Sequence, residues 1–309
     1  MRKENLNKKT IRCGLIGLGT FGVNYLRLLR DMEGVTLVVV ANANDTAFEV
    51  HKNLLAGIKT TTNAADIFAD KSIDAVFIVT PSSTHYELIQ AGLRAGKHVF
   101  VEKPMVLNVS DAKKLTKLAK KSGRVFMVGY QYLFNDTVAY VKQEIEKGTL
   151  GKILSIKSEH VLLPIRQDTD VFWDAAPHPL SIFEWICDHA KLISAEGKIE
   201  HENASVKIEF ENAPTLEILA RTSGEVKVRK LTFVGEKGTV IIDETLPENK
   251  VSIQKNGLTS SPKIPNSEPL RNELEHFLMC IKTGDIPRTN INFGYKITEW
   301  LEIISKRLR

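Results

Sequence analysis

Residues 80–104 read TPSSTHYELIQAGLRAGKHVFVEKP. Just before them, Ala75-Val76-Phe77-Ile78-Val79 is a short apolar run rich in β-branched and aromatic residues, which suits a strand buried on both faces. Thr84 with Glu87 three residues later is a capping-box pattern and predicts a helix start. The helix should run to about Ala95, where Gly96 supplies a residue that tolerates φ > 0. His98 to Val101 then reads as a second buried strand, with Glu102-Lys103-Pro104 at its carboxyl end. In doubly wound sheets ligands bind outside the carboxyl ends of the strands, so Lys103 is placed to meet a substrate. A surface ion pair with Glu102 is the bland alternative. The Lys103–Pro104 bond is open to cis, with trans the commoner state of X–Pro bonds.

Working back toward the N-terminus, Ile11–Ile16 reads as a strand, followed by Gly17-Leu18-Gly19-Thr20-Phe21-Gly22, a helix to about Asp31 and a strand over Val35–Val40. A GxGxxG run alone is as easily a glycine-rich turn. Between a strand and a helix it is the dinucleotide fingerprint. The first glycine permits the tight turn, the second lets backbone approach a pyrophosphate, and the third lets helix pack on strand. The helix N-terminus adds free N–H groups and a positive dipole end. Gly17, Gly19, Thr20, Phe21 and Gly22 are therefore candidate cofactor contacts. The acidic residue expected about 20 positions on, to bond the ribose hydroxyls of NAD, is replaced by Asn42. Asn42 carries no charge to repel a 2′-phosphate, and no Arg or Lys follows within Ala41–Asn44 to attract one. The cofactor is thus NAD or NADP, with the missing cation favouring NAD; loop and cap chemistry is the other account of Asn42.

Helices are expected over 45–56, 64–69 and 110–121, the last with Ser110 as N-cap and Gly123 past its end, and a strand over Arg124–Val128. This βα alternation predicts one domain over 1–129, with residues 1–9 a mobile tail. The pattern then changes. A helix from Asp136 to Lys147 and a strand over Lys152–Val161 are followed by strand candidates at 205–211, 215–221, 227–234 and 239–243, joined by short turns. Residues 256–269 read as a surface loop, and 270–281 and 293–308 as closing helices. The second domain, 130–309, is expected to be α+β with an open, mostly antiparallel sheet, its last helix packing back on the first domain.

At 309 residues two domains are comfortable, and 43% hydrophobic with 26% charged residues is ordinary globular composition. The net charge of +5 is spread over scattered lysines, so nucleic-acid binding is not suggested. Cys13, Cys187 and Cys280 are far apart with no CxxC spacing, which argues against a disulfide framework or a metal site. Reduced thiols, a charged N-terminus and the lack of a membrane-span-length apolar run point to a cytoplasmic protein.

Thr80-Pro81, His85, Ala95-Gly96-Lys97-His98-Val99 and Glu102-Lys103-Pro104 together resemble the signature of the glucose–fructose oxidoreductase / inositol dehydrogenase (Gfo/Idh/MocA) family. The resemblance implies a Rossmann domain followed by an α+β domain that binds substrate and makes a homo-dimer or homo-tetramer. It adds Thr80, Pro81, His85, Glu102 and Lys103 to the cofactor side. Gln131, at the opening of the second domain, is a candidate for the nicotinamide side, with a buried satisfied amide the equal alternative. Asp174 and His178 are four residues apart, so on a helix they share a face. The family places its catalytic Asp and His at this spacing, which makes Lys103, Asp174 and His178 the implied catalytic set. Without that context, Asp174 would be taken as the cap of a 174–188 helix and His178 as a packed histidine. An imidazole near its ordinary pKa of about 6.5 suits proton transfer at neutral pH. Tyr132, His160, Arg166, Lys103, Asp174 and His178 are the candidate substrate contacts; His160 and Arg166 would suit an anionic group, a solvated loop arginine being the commoner outcome for Arg166. Leu133, near where members often have Arg, and Pro179, where they often have Asp, mark departures in substrate contacts.

The implied activity is hydride transfer between nicotinamide and a secondary alcohol of a sugar, polyol or nucleotide sugar, the last suggested by the Trp173-Asp174-x-x-Pro177-His178 form. Two alternatives share the architecture: a glycoside hydrolase that uses NAD transiently, and a cofactor-sensing regulator without turnover.

Overall fold

The computed structural model describes residues 10–161 and 169–309. The expected tail over 1–9 and the candidate Arg166 lie outside the described residues. The chain divides into two compact units: 1–129 with 274–295, and 130–273 with 296–309.

The first unit alternates strand and helix: β1 (Ile11–Ile16), α1 (Gly22–Asp31), β2 (Val35–Ala41), α2 (Thr46–Val50), β3 (Lys59–Thr61), α3 (Ala65–Ala69), β4 (Ala75–Ile78), α4 (His85–Arg94), β5 (His98–Glu102), α5 (Val109–Ser122) and β6 (Phe126–Gly129). Its six strands are parallel in the order β3-β2-β1-β4-β5-β6. The order reverses between β1 and β4, the place where such sheets open a ligand crevice at their carboxyl ends. Every residue of β4 is buried, as its unbroken apolar run requires.

Segment 274–295, expected in the second domain, belongs to this unit. Phe277 meets Phe77 and Phe100 edge-on at 5.4 and 5.6 Å. The hydroxyl of Thr289 donates to the Val128 carbonyl at 2.7 Å, and its carbonyl accepts from the Val128 N–H at 2.9 Å. The periodicity of a helix predicts an apolar face but not which core that face covers.

The second unit holds α6 (Asp136–Glu146), β7 (Ile153–Val161), α7 (Val171–Ala175), α8 (Pro177–Cys187), β8 (Leu192–Ile199), β9 (Asn203–Phe210), β10 (Thr215–Arg221), β11 (Val228–Gly235), β12 (Gly238–Asp243), β13 (Val251–Lys255) and β14 (Leu258–Ser260). α9 (Pro269–Thr283) starts here, and α10 (Ile291–Leu308) ends here. The eight strands run β14-β13-β12-β11-β7-β10-β9-β8, antiparallel throughout except for the parallel β7–β10 pair. One face is lined by the alternate buried positions of β9, with Phe210 stacked on Phe183 of α8 at 4.1 Å.

Several local expectations are corrected. β8 was not foreseen: it is a mostly exposed strand at the sheet edge, interrupted by Gly197, so it lacks a buried apolar run. β13 was also missed, and β14 lies within the stretch read as loop. Asn256 and Gly257, both at positive φ, turn the chain between them, the two-residue pattern of a twisted hairpin. α2 stops at Val50 rather than reaching residue 56. α5 is capped by Asn108, whose side chain accepts the Asp111 N–H at 2.8 Å, and not by Ser110. The Thr84 side chain makes no cap bond; it donates to the Pro81 carbonyl at 2.8 Å instead, a local side chain–backbone bond that competes with capping. The Lys103–Pro104 bond is cis.

Candidate active site

The loop after β1 is built by what its glycines lack. Gly17 has φ +101, and a Cβ there would stand 2.3 Å from the Val79 carbonyl oxygen. A Cβ on Gly22 would stand 2.3 Å from the Gly17 carbonyl oxygen. Gly19 differs: a Cβ on it would meet nothing within 4 Å. Only glycine fits at the first and third positions because protein is already there; at the second the space is open. Thr20 and Phe21 complete the loop, both exposed. α1 begins at Gly22 with no side-chain cap on its N-terminus and no acidic residue in its first turn. An uncapped helix start beside an open glycine fits the pyrophosphate of a dinucleotide on chemical grounds.

Asn42 stands at the end of β2. Its Oδ1 accepts the Leu18 N–H at 2.9 Å and its Nδ2 donates to the Asn44 carbonyl at 2.7 Å. The side chain thus braces the glycine loop against the β2 loop, the cap-like role that the sequence left open. Each amide end retains further hydrogen-bonding capacity toward a ribose.

At the carboxyl ends of β4 and β5 the loops are tied together. His85 is fully buried, with Nδ1 2.9 Å from the Pro104 carbonyl and Nε2 3.0 Å from the Thr80 carbonyl. It therefore acts on the two loops rather than at the surface. Thr80 bonds Thr84 through their hydroxyls at 2.7 Å, and exposed Pro81 leads into the turn before α4. Glu102 is buried, accepting from the Tyr25 hydroxyl at one oxygen and from the Lys103 N–H, at 3.0 Å, at the other. Tyr25 comes from α1 and is wholly buried. The sequence did not flag it, because 77 residues separate it from Glu102. A cavity of about 420 Å³ opens at the opposite edge of this unit, lined by Lys71, Asp74, Lys97, His98 and Arg124. It lies at the amino ends of β4 and β5, away from the glycine loop.

In the second unit the residues cluster around one imidazole. From 171 to 184 every residue is buried except Asp174 and His178, which are half-buried. Ala176, between α7 and α8, has helical φ and ψ, so the four-residue spacing crosses continuous helical backbone and puts both side chains on one face. Asp170, not Asp174, caps α7, accepting the Trp173 N–H at 2.9 Å. Asp174 is thus not spent as a helix cap. The Tyr132 and His178 rings lie 4.6 Å apart. His160 lies 6.2 Å from His178 and 6.3 Å from Tyr132 by ring centroid, and its Nδ1 is 3.0 Å from the Ser158 hydroxyl. Burial holds the Tyr132 phenol above its ordinary pKa despite the opposing charge of Arg229, so it is a hydrogen-bond donor at neutral pH.

Gln131 is half-buried in the turn before Phe134, whereas Leu133 is fully buried core. Pro179 is buried. Trp173 donates from its indole to Ser305 at 3.0 Å, and Phe172 is fully buried, so both are core rather than site. The cysteines are free, and burial holds the Cys13 and Cys187 thiols protonated. Glu184, Asp188 and His189 offer ligand atoms within 4.8 Å of one another, but the Lys296 ammonium, 2.8 Å from Glu184, already supplies the cation there.

Residues 11–130 match an oxidoreductase family described by its NAD-binding Rossmann fold. The chain is 28% identical over 301 residues to the scyllo-inositol 2-dehydrogenase (NAD(+)) of Bacillus subtilis, covering 90% of this chain and 88% of that one. It is 24% identical over 301 residues to the myo-inositol 2-dehydrogenase of Thermotoga maritima, covering 90% of each. Among solved structures, an inositol dehydrogenase homolog from Azotobacter vinelandii, complexed with NADH and myo-inositol, matches with a TM-score of 0.84 at 18% identity, over 97% of this chain and 96% of that one. The 3-ketoreductase KijD10 of Actinomadura kijaniata matches with a TM-score of 0.86 at 18% identity, over 96% of each chain. At these identities the structural likeness establishes the fold.

Proposed function

We propose that the chain is a member of the Gfo/Idh/MocA oxidoreductase family and an NAD(P)-dependent dehydrogenase acting on the CH–OH group of a sugar, polyol or nucleotide sugar. The observation that carries this is the Asp174–His178 pair, the two openings in a buried run, with His178 against Tyr132 and His160. When bound, the nicotinamide supplies the two-electron acceptor or donor.

The remaining chemistry belongs to the chain's own residues. A secondary alcohol must lose its O–H proton as its carbon is oxidised. His178 takes that proton as general base and returns it in the reverse direction. Asp174, on the same helical face, holds a substrate hydroxyl and orients the imidazole. Lys103 donates to the reacting oxygen and stabilises its developing negative charge. Glu102, bonded to the Lys103 N–H, fixes the strand end that carries it. Tyr132 and His160 bind substrate hydroxyls, and Gln131 serves the nicotinamide side. The glycine loop, Asn42 and the Thr80–Pro81 turn hold the dinucleotide; the absence of a cation after Asn42 favours NAD over NADP. Among the described residues no helix is long and apolar enough to cross a membrane. The protein is proposed to be cytoplasmic and to form a homo-dimer or homo-tetramer through the open face of the second unit's sheet, which light scattering after size exclusion would measure.

The test is a screen of NAD and NADP with inositols, sugars and nucleotide sugars, followed by nicotinamide absorbance and thermal shift. His178→Asn should lower kcat by about 10²–10⁴-fold while leaving the cofactor-induced thermal shift in place. Unchanged turnover in that variant would remove His178 from the mechanism.

A further inference from the structure

Arg229 is the cation of this site that the sequence did not single out. It lies on β11 directly opposite His160 on β7 in antiparallel register. Facing residues of such a pair project from the same side of the sheet, with Cβ atoms about 4.5–5.5 Å apart. Arg229 therefore shares the face that carries His160 and Ser158, against which Tyr132 and His178 pack. Its charge is felt at the Tyr132 phenol.

One donor of the half-buried guanidinium is also unsatisfied. Its Nε is buried without a hydrogen-bond partner among the described residues. The nearby carboxylate is engaged elsewhere: Glu244 accepts from Asn135 at 3.0 Å and Thr137 at 2.7 Å through one oxygen, and its other oxygen lies 3.4 Å from the Lys250 ammonium. The ion pair of Lys230 with Asp243, at 3.2 Å, involves the next residue along the strand and so the other face of the sheet. A buried cationic donor left unpaired is costly, and a planar fork of N–H groups matches a carboxylate or phosphate two bonds at a time.

We propose that Arg229 is a specificity residue for an oxyanion, so that the substrate carries a carboxylate or phosphate that pairs with this guanidinium while its carbinol lies at His178. This rests on the dehydrogenase assignment above and narrows its substrate class.

The experiment is calorimetric titration of the NAD-loaded protein with D-glucuronate, D-glucose 6-phosphate and neutral D-glucose, repeated with Arg229→Gln and Arg229→Lys. At least one anionic ligand should bind the wild type ten- to hundredfold more tightly than glucose, and the two anionic arms report which oxyanion is preferred. Arg229→Gln should erase that preference without altering glucose binding or the NAD-induced thermal shift. Arg229→Lys should restore part of it, as a charge without the fork. Equal binding of charged and neutral ligands by the wild type, no binding of either anion, or a preference that survives Arg229→Gln overturns the proposal. The readout is binding, so it stands apart from turnover: anion preference with no oxidation anywhere in the full cofactor and substrate screen refutes the dehydrogenase assignment and leaves the oxyanion site intact.

Discussion

The three glycines of the loop after β1 should respond to the same substitution in different ways. A Cβ at Gly22 lands 2.3 Å from the Gly17 carbonyl oxygen, more than 1 Å inside the 3.4 Å limit of ordinary contact, and the obstacle is backbone. α1 would have to move off β1. Overpacking of this kind costs about 1–3 kcal/mol, roughly 2–12 °C in melting temperature for a unit of this size. Gly17→Ala meets the Val79 carbonyl oxygen at 2.3 Å and adds the strain of φ +101, so it should cost at least as much. Gly19→Ala meets nothing within 4 Å and carries no positive-φ penalty. It should leave the melting temperature unchanged or slightly raised, by up to about 1 kcal/mol through the stiffer unfolded chain. The methyl would occupy the space in which a pyrophosphate oxygen should sit, so NAD affinity should fall at least about tenfold, about 1.4 kcal/mol. Thermal unfolding with and without NAD, paired with calorimetric titration, separates the two effects. If Gly19→Ala binds NAD as the wild type does, or unfolds as early as Gly22→Ala, this assignment of the loop is wrong.

Other outcomes are expected from the same geometry. Tyr25→Phe removes a hydroxyl donor from buried Glu102 and should cost about 1–3 kcal/mol in chemical denaturation; a stability equal to wild type would show that the bond carries nothing. Asn42→Asp keeps an acceptor for the Leu18 N–H but sets a carboxylate against the Asn44 carbonyl and against any 2′-phosphate, so NADP binding should weaken more than NAD binding in paired titrations. Burial, then the Arg124 charge, lowers the His98 pKa from 6.5 to about 4, and the neutral ring accepts the Val125 N–H at 3.0 Å. The unfolded chain takes up this proton near pH 6.5 and the fold resists it to about pH 4, so stability present above that window drains away as pH falls through it. The ring is partly exposed, so screening reduces the effect to about 1–2 kcal/mol. His98→Gln should flatten that part of the urea-midpoint profile, and an unchanged slope would assign the acid loss to other groups.

The parts of the site that were legible in the sequence are those where a local rule binds residue type to backbone. GxGxxG between an apolar strand and an amphipathic pattern needs only a few neighbouring residues, and the observed Gly17 conformation follows from them. The Asp174–His178 spacing is equally local, and helical backbone across Ala176 gave it one face. The misses are of another kind. Asn108 displaced Ser110 as a cap because both are competent N-caps two positions apart and only packing chooses between them. Arg229 was invisible because its meaning comes from lying opposite His160, 69 positions earlier in the chain.

Taken by itself, the sequence determined the parallel nucleotide-binding unit, the turn at its first strand and the helical face bearing Asp174 and His178. Each is written in short-range periodicity and in residues whose backbone freedom is special. Tertiary structure alone decided that 274–295 returns to the first unit, that Tyr25 bonds Glu102, and that Arg229 joins His160, Tyr132 and His178. Those are matters of which surfaces meet, and an apolar face or a strand edge accepts many partners until the burial of the whole chain selects one.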